Sequence, residues 1–193
     1  INDDILKVDI NKIVEERNGG RPIKVVANLP YYITTPIIMG LFEKHVPLLS
    51  VTVMVQKEVA QRIAAAPGTG DYGAFSVFCQ YYTEPELLFD VPPSCFLPQP
   101  KVTSAVVTLR RRAERPWDVA DQDIFFRVVR SSFAMRRKKL SNGLASGFPE
   151  LGKQGAEDVL RVCGFPENVR GETLGIPEFA RIANEIVRRR EAK

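Results

Sequence analysis

The sequence predicts an α/β sheet domain followed by a small all-helical domain. Three observations carry that prediction. Short apolar runs alternate with helical patterns through the first half of the chain. Beyond residue 118 the periodicity is helical throughout. The charge balance changes near the same place: residues 1–101 hold 9 Lys and Arg against 11 Asp and Glu, whereas residues 102–193 hold 18 against 12. The two parts thus carry net charges of −2 and +6. A polyanion is expected to meet the second part.

The elements follow in order. Asp9–Glu16 reads as a short helix, and Ile23–Asn28 as a buried parallel strand with apolar residues on both faces. Thr35 is expected to cap the next helix, with Pro36 at its first position and Ile37, Ile38, Leu41 and Phe42 as its apolar face. Ser50–Gln56 reads as a strand. Lys57–Ala65 reads as a helix ending at Ala66-Pro67-Gly68, and Ala74–Tyr82 as another. Leu87–Val91 and Val102–Arg110 read as strands, forming an antiparallel edge. Arg111–Asp118 is charged, contains Pro116 and Trp117, and reads as a linker. Asp121 then caps a helix with Ile124, Phe125, Val128, Val129 and Phe133 on its core face. Leu140 and Leu144 mark a second helix, and Val159, Leu160 and Cys163 a third. The last starts at Pro177 and buries Phe179, Ile182, Ala183 and Ile186. The domain boundary is placed between residues 112 and 113.

Composition narrows the function classes. A chain of 193 residues with 45% hydrophobic and 26% charged residues has the make-up of an ordinary soluble protein. No apolar run approaches the roughly 18 residues of a membrane span, and no secretory leader is expected. Cys79, Cys95 and Cys163 form no CxxC pair, and the single His45 cannot complete a zinc set. The expectation is buried, reduced thiols in a cytoplasmic protein without a metal. Ile1 is not an initiator methionine, so the chain is expected to be trimmed at its front.

The most informative residues are Asn28-Leu29-Pro30-Tyr31, placed where the first strand ends and a helix begins. An exocyclic amine on a purine is a poor nucleophile, because its lone pair is delocalised into the ring. Two acceptors holding its N–H bonds draw the nitrogen toward tetrahedral geometry. Asn28 offers a side-chain carbonyl, and the backbone carbonyl of Leu29 or Pro30 a second acceptor. Tyr31 offers a stacking face for a base taken out of its stack. The plainer reading is a turn in which Asn and Pro only redirect the chain. Its position at the carboxyl end of a strand, where α/β sheets bind ligands, favours the first reading. In a second segment, Cys95-Phe96-Leu97-Pro98-Gln99-Pro100-Lys101, two prolines stiffen a loop that displays Phe96. That loop either sandwiches a base against Tyr31 or buries Phe96 as core. The basic run Arg136-Arg137-Lys138-Lys139 is expected on a helix, where four successive charges cannot share one face. It reads as phosphate contacts or as a solvated helix start, with Arg110, Arg111 and Arg112 extending the patch. Gly68-Thr69-Gly70 follows a helix and Pro67 rather than a strand, so it reads as a plain loop.

Together Asn28–Tyr31, Tyr32-Ile33-Thr34-Thr35-Pro36 and Phe96–Ser104 resemble the ribosomal RNA adenine dimethyltransferases of the KsgA/RsmA family. Gln56–Ala60, Tyr72-Gly73, Ser132-Phe133 with Arg136-Arg137-Lys138, and Arg170-Gly171-Glu172 with Leu174 extend the likeness to the last helix. The resemblance implies a Rossmann-like class I methyltransferase domain over residues 1–112 and a helical domain recognising ribosomal RNA over 113–193. It implies dimethylation of the N6 amine of two adjacent adenines near the 3′ end of small-subunit ribosomal RNA, in ribosome biogenesis. S-adenosylmethionine is the implied methyl donor, and the immature small subunit the implied partner. By the same resemblance Asn28, Leu29, Pro30 and Tyr31 hold the amine, and Tyr31 and Phe96 stack on the base. Asn28 and Asp4 would touch the donor; Asp4 reads equally well as a solvated acid. Arg110, Arg111, Arg136, Arg137, Lys138 and Lys139 would meet RNA. The family's Gly-rich donor loop and ribose-binding acid are absent from these residues, so a fragment that binds the donor weakly or not at all is expected. Two alternatives share the Asn28–Tyr31 pattern or the fold: a large-subunit dimethylase of the antibiotic-resistance type, and a non-catalytic RNA-binding assembly factor.

Overall fold

The computed structural model describes residues 1–114 and 116–192. Arg115 and Lys193 lie outside the described residues, so the linker read at 111–118 is described except at Arg115. Two compact units emerge: Ile1–Ala64 with Phe78–Ala113, and Ala65–Val77 with Glu114–Lys193.

The first unit is built on four strands, β1 (Ile23–Asn28), β2 (Leu48–Gln56), β3 (Thr83–Val91) and β4 (Ser104–Arg111). Their order is β1-β2-β4-β3. β1 runs parallel to β2, with Asn28 opposite Met54. β4 runs antiparallel to both β2 and β3, with Ser104 opposite Gln56 and Val91. β3 and β4 thus form the antiparallel edge expected from the sequence, with β3 outermost and β4 against β2. The β-branched run of β2 explains its central place, since Val51, Val53 and Val55 are all buried. β1 departs from the fully buried strand that its apolar residues suggest. Its residues alternate between half-buried and exposed, and Val26 is 79% exposed. The alternation follows the strand period: Lys24, Val26 and Asn28 share one face of the sheet, and no described residue covers that face at Val26.

Helix α1 (Ile10–Asn18) is capped by Asp9, whose carboxylate accepts the Lys12 N–H at 3.1 Å. Helix α2 (Thr34–Glu43) buries Ile37, Ile38, Leu41 and Phe42, the face its spacing predicts. Its start differs from the sequence expectation. Thr35 does not cap it; the helix begins at Thr34, whose Oγ1 donates back to the Pro30 carbonyl at 3.1 Å. A 3-10 turn at Tyr31–Ile33 precedes it, so the chain is already wound before Thr35 is reached. Helix α3 (Lys57–Ala64) follows β2 directly, and α4 (Ala74–Tyr82) leads into β3. Phe42 stacks on Tyr82 with ring centroids 5.2 Å apart, closing the core on that face of the sheet.

The second unit packs α5 (Gln122–Ala134), α6 (Leu140–Gly147), α7 (Gly152–Val162) and α8 (Ile176–Glu191). Phe125, Phe148, Phe179, Ile182 and Ile186 form a fully buried core. The segment Ala65–Val77 joins this unit through Tyr72, which is 1% exposed and donates its hydroxyl to the Leu174 carbonyl at 2.9 Å. Burial raises the Tyr72 phenol well above its ordinary value. α5 and α6 approach closely at small residues: a Cβ on Gly143 or Gly147 collides with Ser131. Asp121 caps α5 by accepting the Ile124 N–H at 2.9 Å. Asp121→Ala is expected to cost about 1 kcal/mol, read as a lower denaturant midpoint with an unchanged slope.

The thiols split. Cys79 and Cys163 are buried, and burial raises both above the ordinary thiol value. Cys95 is exposed, contrary to the expectation, because it ends a 3-10 turn in the loop before Phe96. Among the described residues no helix is long and apolar enough to cross a membrane.

Candidate functional site

The carboxyl ends of β1 and β2 meet the start of β4 at one end of the sheet. Here the chain leaves β1 through Asn28-Leu29-Pro30-Tyr31. The Leu29 N–H donates to the Met54 carbonyl at 3.1 Å, extending the β1–β2 ladder by one bond. The Leu29 side chain is 7% exposed and anchors the tip in the core. Pro30, at φ −59° and ψ 131°, turns the chain outward. Its carbonyl accepts both the Ile33 N–H at 3.2 Å and the Thr34 hydroxyl.

Those bonds distinguish the two carbonyls. Pro30 is engaged twice, whereas the Leu29 carbonyl receives no donor among the described residues. The Asn28 side chain is exposed and has no hydrogen-bond partner among the described residues. Two acceptors, one amide carbonyl and one peptide carbonyl, thus stand free in adjacent residues.

The aromatic residues predicted to face each other do share a cavity. It has a volume of about 300 Å³ and is lined by Asn28, Leu29, Pro30, Tyr31, Phe96, Pro98 and Pro100. Its apolar walls and few polar groups are the usual make-up of a small-ligand site. Tyr31 is held by a 2.7 Å hydrogen bond between its hydroxyl and Ser104 Oγ. Ser104 is fully buried at the start of β4, so the ring is fixed against rotation out of the cavity. The role of Ser104 was not legible from the sequence. A hydroxyl just before the apolar run Ala105-Val106-Val107 is the one signal that could have found it. Pro98 and Pro100 do more than stiffen the loop, because they line the cavity with Phe96.

Asp4 is not among the lining residues of this cavity. Its carboxylate accepts the Leu6 N–H at 3.0 Å and lies 3.8 Å from Lys7 Nζ, both within its own turn.

The basic residues fall into different settings. Arg110 and Arg111 end β4. Arg110 pairs with Glu86 at 2.8 Å, and the Arg111 guanidinium lies 5.6 Å from the Tyr82 ring centre and 5.9 Å from that of Phe42. Arg112 pairs with Glu84 at 2.6 Å. In the second unit Arg136–Lys139 do not lie on a helix. α5 ends at Ala134 and α6 begins at Leu140, so the run forms the connection between them. The four charges are thereby released from helical spacing and sorted by partners. Arg136 bonds Glu172 at 2.9 Å and the Thr69 carbonyl at 3.1 Å, and Lys139 bonds Glu167 at 2.7 Å. Arg137 and Lys138 make no ion pair among the described residues and are exposed. The Gly68–Gly70 loop is a structural turn, with Gly68 at φ +84° donating its N–H to the Glu172 carbonyl.

Comparison with known proteins gives this geometry a family. A ribosomal RNA small subunit methyltransferase A of Lachnoclostridium phytofermentans is 53% identical over 188 residues, covering 96% of this chain and 64% of that protein. The protein of the same name from Clostridioides difficile is 48% identical over 186 residues, with 96% and 64% covered. This chain thus spans 64% to 66% of the length of the first curated relatives it matches. A dimethyladenosine transferase from Plasmodium falciparum superposes with a TM-score of 0.75 at 22% identity, covering 86% of this chain and 66% of that one. The 23S rRNA methyltransferase ErmE gives 0.65 at 24% identity, covering 97% and 71%. These two superpositions support the Rossmann-like methyltransferase fold. The sequence model of the ribosomal RNA adenine dimethylases matches residues 1–186, nearly the whole chain, and with the relatives at 48% to 53% it shows that the chain belongs to that family.

Proposed function

We propose that the Asn28–Tyr31 tip and the Phe96 loop form the acceptor half of an adenine-N6 methyl-transfer site. The proposed activity, in a protein of the relatives' full length carrying these residues, is dimethylation of two adjacent adenines in small-subunit ribosomal RNA. The observation that carries the reading is the pair of free acceptors, Asn28 Oδ1 and the Leu29 carbonyl, at the mouth of an aromatic-lined cavity. An adenine placed between Tyr31 and Phe96 can donate its two amine N–H bonds to them. Because Pro30 is already doubly bonded, Leu29 rather than Pro30 is the peptide acceptor. Acceptors on both N–H bonds localise the nitrogen lone pair, and the stacked rings keep water off it. After one methyl transfer a single N–H remains, and either acceptor still orients it for the second.

S-adenosylmethionine, the donor proposed here, supplies an electrophilic methyl group when bound. Asn28, at the cavity, and Asp4, whose carboxylate accepts the Leu6 N–H, are the residues proposed to touch it.

The names of the relatives that are 48% to 53% identical support small-subunit RNA over large-subunit RNA as substrate. The net +6 of residues 102–193 supports RNA as the polymer bound. A cytoplasmic protein acting on immature small subunits is the corresponding setting. The test is methyl incorporation from labelled S-adenosylmethionine into unmodified small subunits by the full-length protein. Dimethyladenine at two adjacent positions is the expected result. Label appearing only in large-subunit RNA, or none at all, would refute the assignment.

A further inference from the structure

Beyond Ile1 at the chain start, the two most exposed large apolar side chains among the described residues stand beside the acceptor cavity. Leu97 is 101% exposed and Tyr32 is 86% exposed. A single apolar side chain in water is ordinary, but a pair flanking one cavity marks a surface that meets something. Each follows directly on one of the cavity's aromatic walls, Tyr32 on Tyr31 and Leu97 on Phe96. Neither lines the cavity itself. They adjoin its two opposite walls from outside.

Neither side chain holds the fold, yet both have firm mounts. The Tyr32 side chain makes no hydrogen bond and no ring contact among the described residues. Its backbone lies in the 3-10 turn Tyr31–Ile33, closed by the Ile33 N–H on the Pro30 carbonyl. Its neighbour Tyr31 is pinned by Ser104. Leu97 sits between Phe96 and Pro98, which both line the cavity, so the loop that shapes the site also sets its position. A free aromatic ring and a free aliphatic group are thus presented where a base would enter. Both are uncharged, so their partner is a base face rather than a phosphate. An adenine drawn out of its stack stays covalently joined to two neighbours, each left with one bare face. A phenol ring stacks on any base, and an apolar side chain can fill the gap in a stack.

We propose that Tyr32 and Leu97 hold the RNA strand on the two sides of the adenine in the cavity. Tyr32 stacks on the base next to it, and Leu97 fills the gap that the extruded adenine leaves. The proposal rests on the reading of the cavity as an adenine site. It adds a consequence for a substrate with two adjacent adenines. While one occupies the cavity, the other is the neighbouring base, so Tyr32 retains the second target during work on the first. Release after one adenine is then slower than transfer to the other.

The test uses the full-length protein and unmodified small subunits, with dimethyladenine counted separately at each of the two positions. Tyr32→Ala is expected to lower kcat/KM roughly tenfold and to accumulate subunits carrying only one dimethylated adenine. Leu97→Ala is expected to lower kcat/KM roughly threefold to tenfold. Both variants should keep the wild-type melting temperature, because both side chains lie in water. Tyr32→Phe should restore the rate and the paired products, since stacking needs the ring and not the hydroxyl. Tyr32→Leu should not. If Tyr32→Leu restores activity as fully as Tyr32→Phe, the residue meets an apolar protein surface and the stacking role is overturned. Wild-type rates and product pairing in Tyr32→Ala and Leu97→Ala would overturn the rim and leave the adenine site standing. A wild-type protein that methylates neither position would overturn both.

Discussion

Asn28→Ala in the full-length protein is expected to lower methyl transfer by roughly 10²–10³-fold in kcat, the usual cost of removing one preorganised hydrogen-bonding group from a reacting centre. RNA affinity should stay near the wild-type value. The argument depends on what Asn28 does not do. Its side chain is exposed and bonds nothing within the described residues, so the substitution removes no bond that holds the fold. The tip is anchored by its neighbours instead, through the Leu29 N–H on Met54 and the buried Leu29 side chain. An unchanged melting temperature with a collapsed rate separates an acceptor role from a structural one. Asn28→Asp keeps an acceptor oxygen and should retain part of the activity. A wild-type rate in Asn28→Ala would end the assignment of this residue to the amine.

The second large effect concerns the stability of the helical unit in acid. Glu185 is 8% exposed and receives two hydrogen bonds from Arg188, at 2.8 and 2.9 Å, and one from Arg189 at 2.7 Å. The Arg188 bonds chiefly, helped by Arg189, outweigh burial and hold the carboxyl at about 2 against an ordinary 4.5. A folded-state value below the unfolded one means that the unfolded chain binds the proton first. The stabilisation is therefore present above pH 4.5 and is lost as pH falls toward 2. The shift corresponds to roughly 3 kcal/mol, which screening at the exposed Arg188 reduces to about 1–2 kcal/mol. Glu185→Gln should lower the denaturant midpoint at neutral pH and flatten its fall between pH 4.5 and 2. An acid profile identical to the wild type would show that another group carries it.

Much of this chain is legible in sequence because its signals are local. Ile37, Ile38, Leu41 and Phe42 bury together because helical spacing alone puts them on one stripe. Phe179, Ile182, Ala183 and Ile186 do the same on α8, and Asp121 caps α5 as its residue type predicts. What failed involved competition between neighbours or between distant segments. Thr35 is a sound cap by composition, but the turn at Tyr31–Ile33 starts the winding earlier, so the helix begins without a side-chain cap and Thr34 donates its hydroxyl back to the Pro30 carbonyl. The apolar run of β1 reads as buried on both faces, yet burial depends on what packs on each face, and among the described residues the face holding Val26 is left open.

The candidate site divides the same way. Residue type and order alone mark the residues proposed to carry the chemistry: an amide, a proline turn and an aromatic ring at a strand tip, and a second aromatic on a proline-stiffened loop. Which of their groups stay free is set by folding. The Pro30 carbonyl is consumed by Ile33 and Thr34 while that of Leu29 is not, and Ser104, 73 residues from Tyr31, locks the ring. Among the four basic residues after α5, Glu172 takes Arg136 and Glu167 takes Lys139, leaving Arg137 and Lys138 beside an unpaired Ser141. Residue identity sets what each side chain can donate, accept or stack upon. Whether it remains available depends on partners that folding brings from far along the chain, and local periodicity holds no record of them.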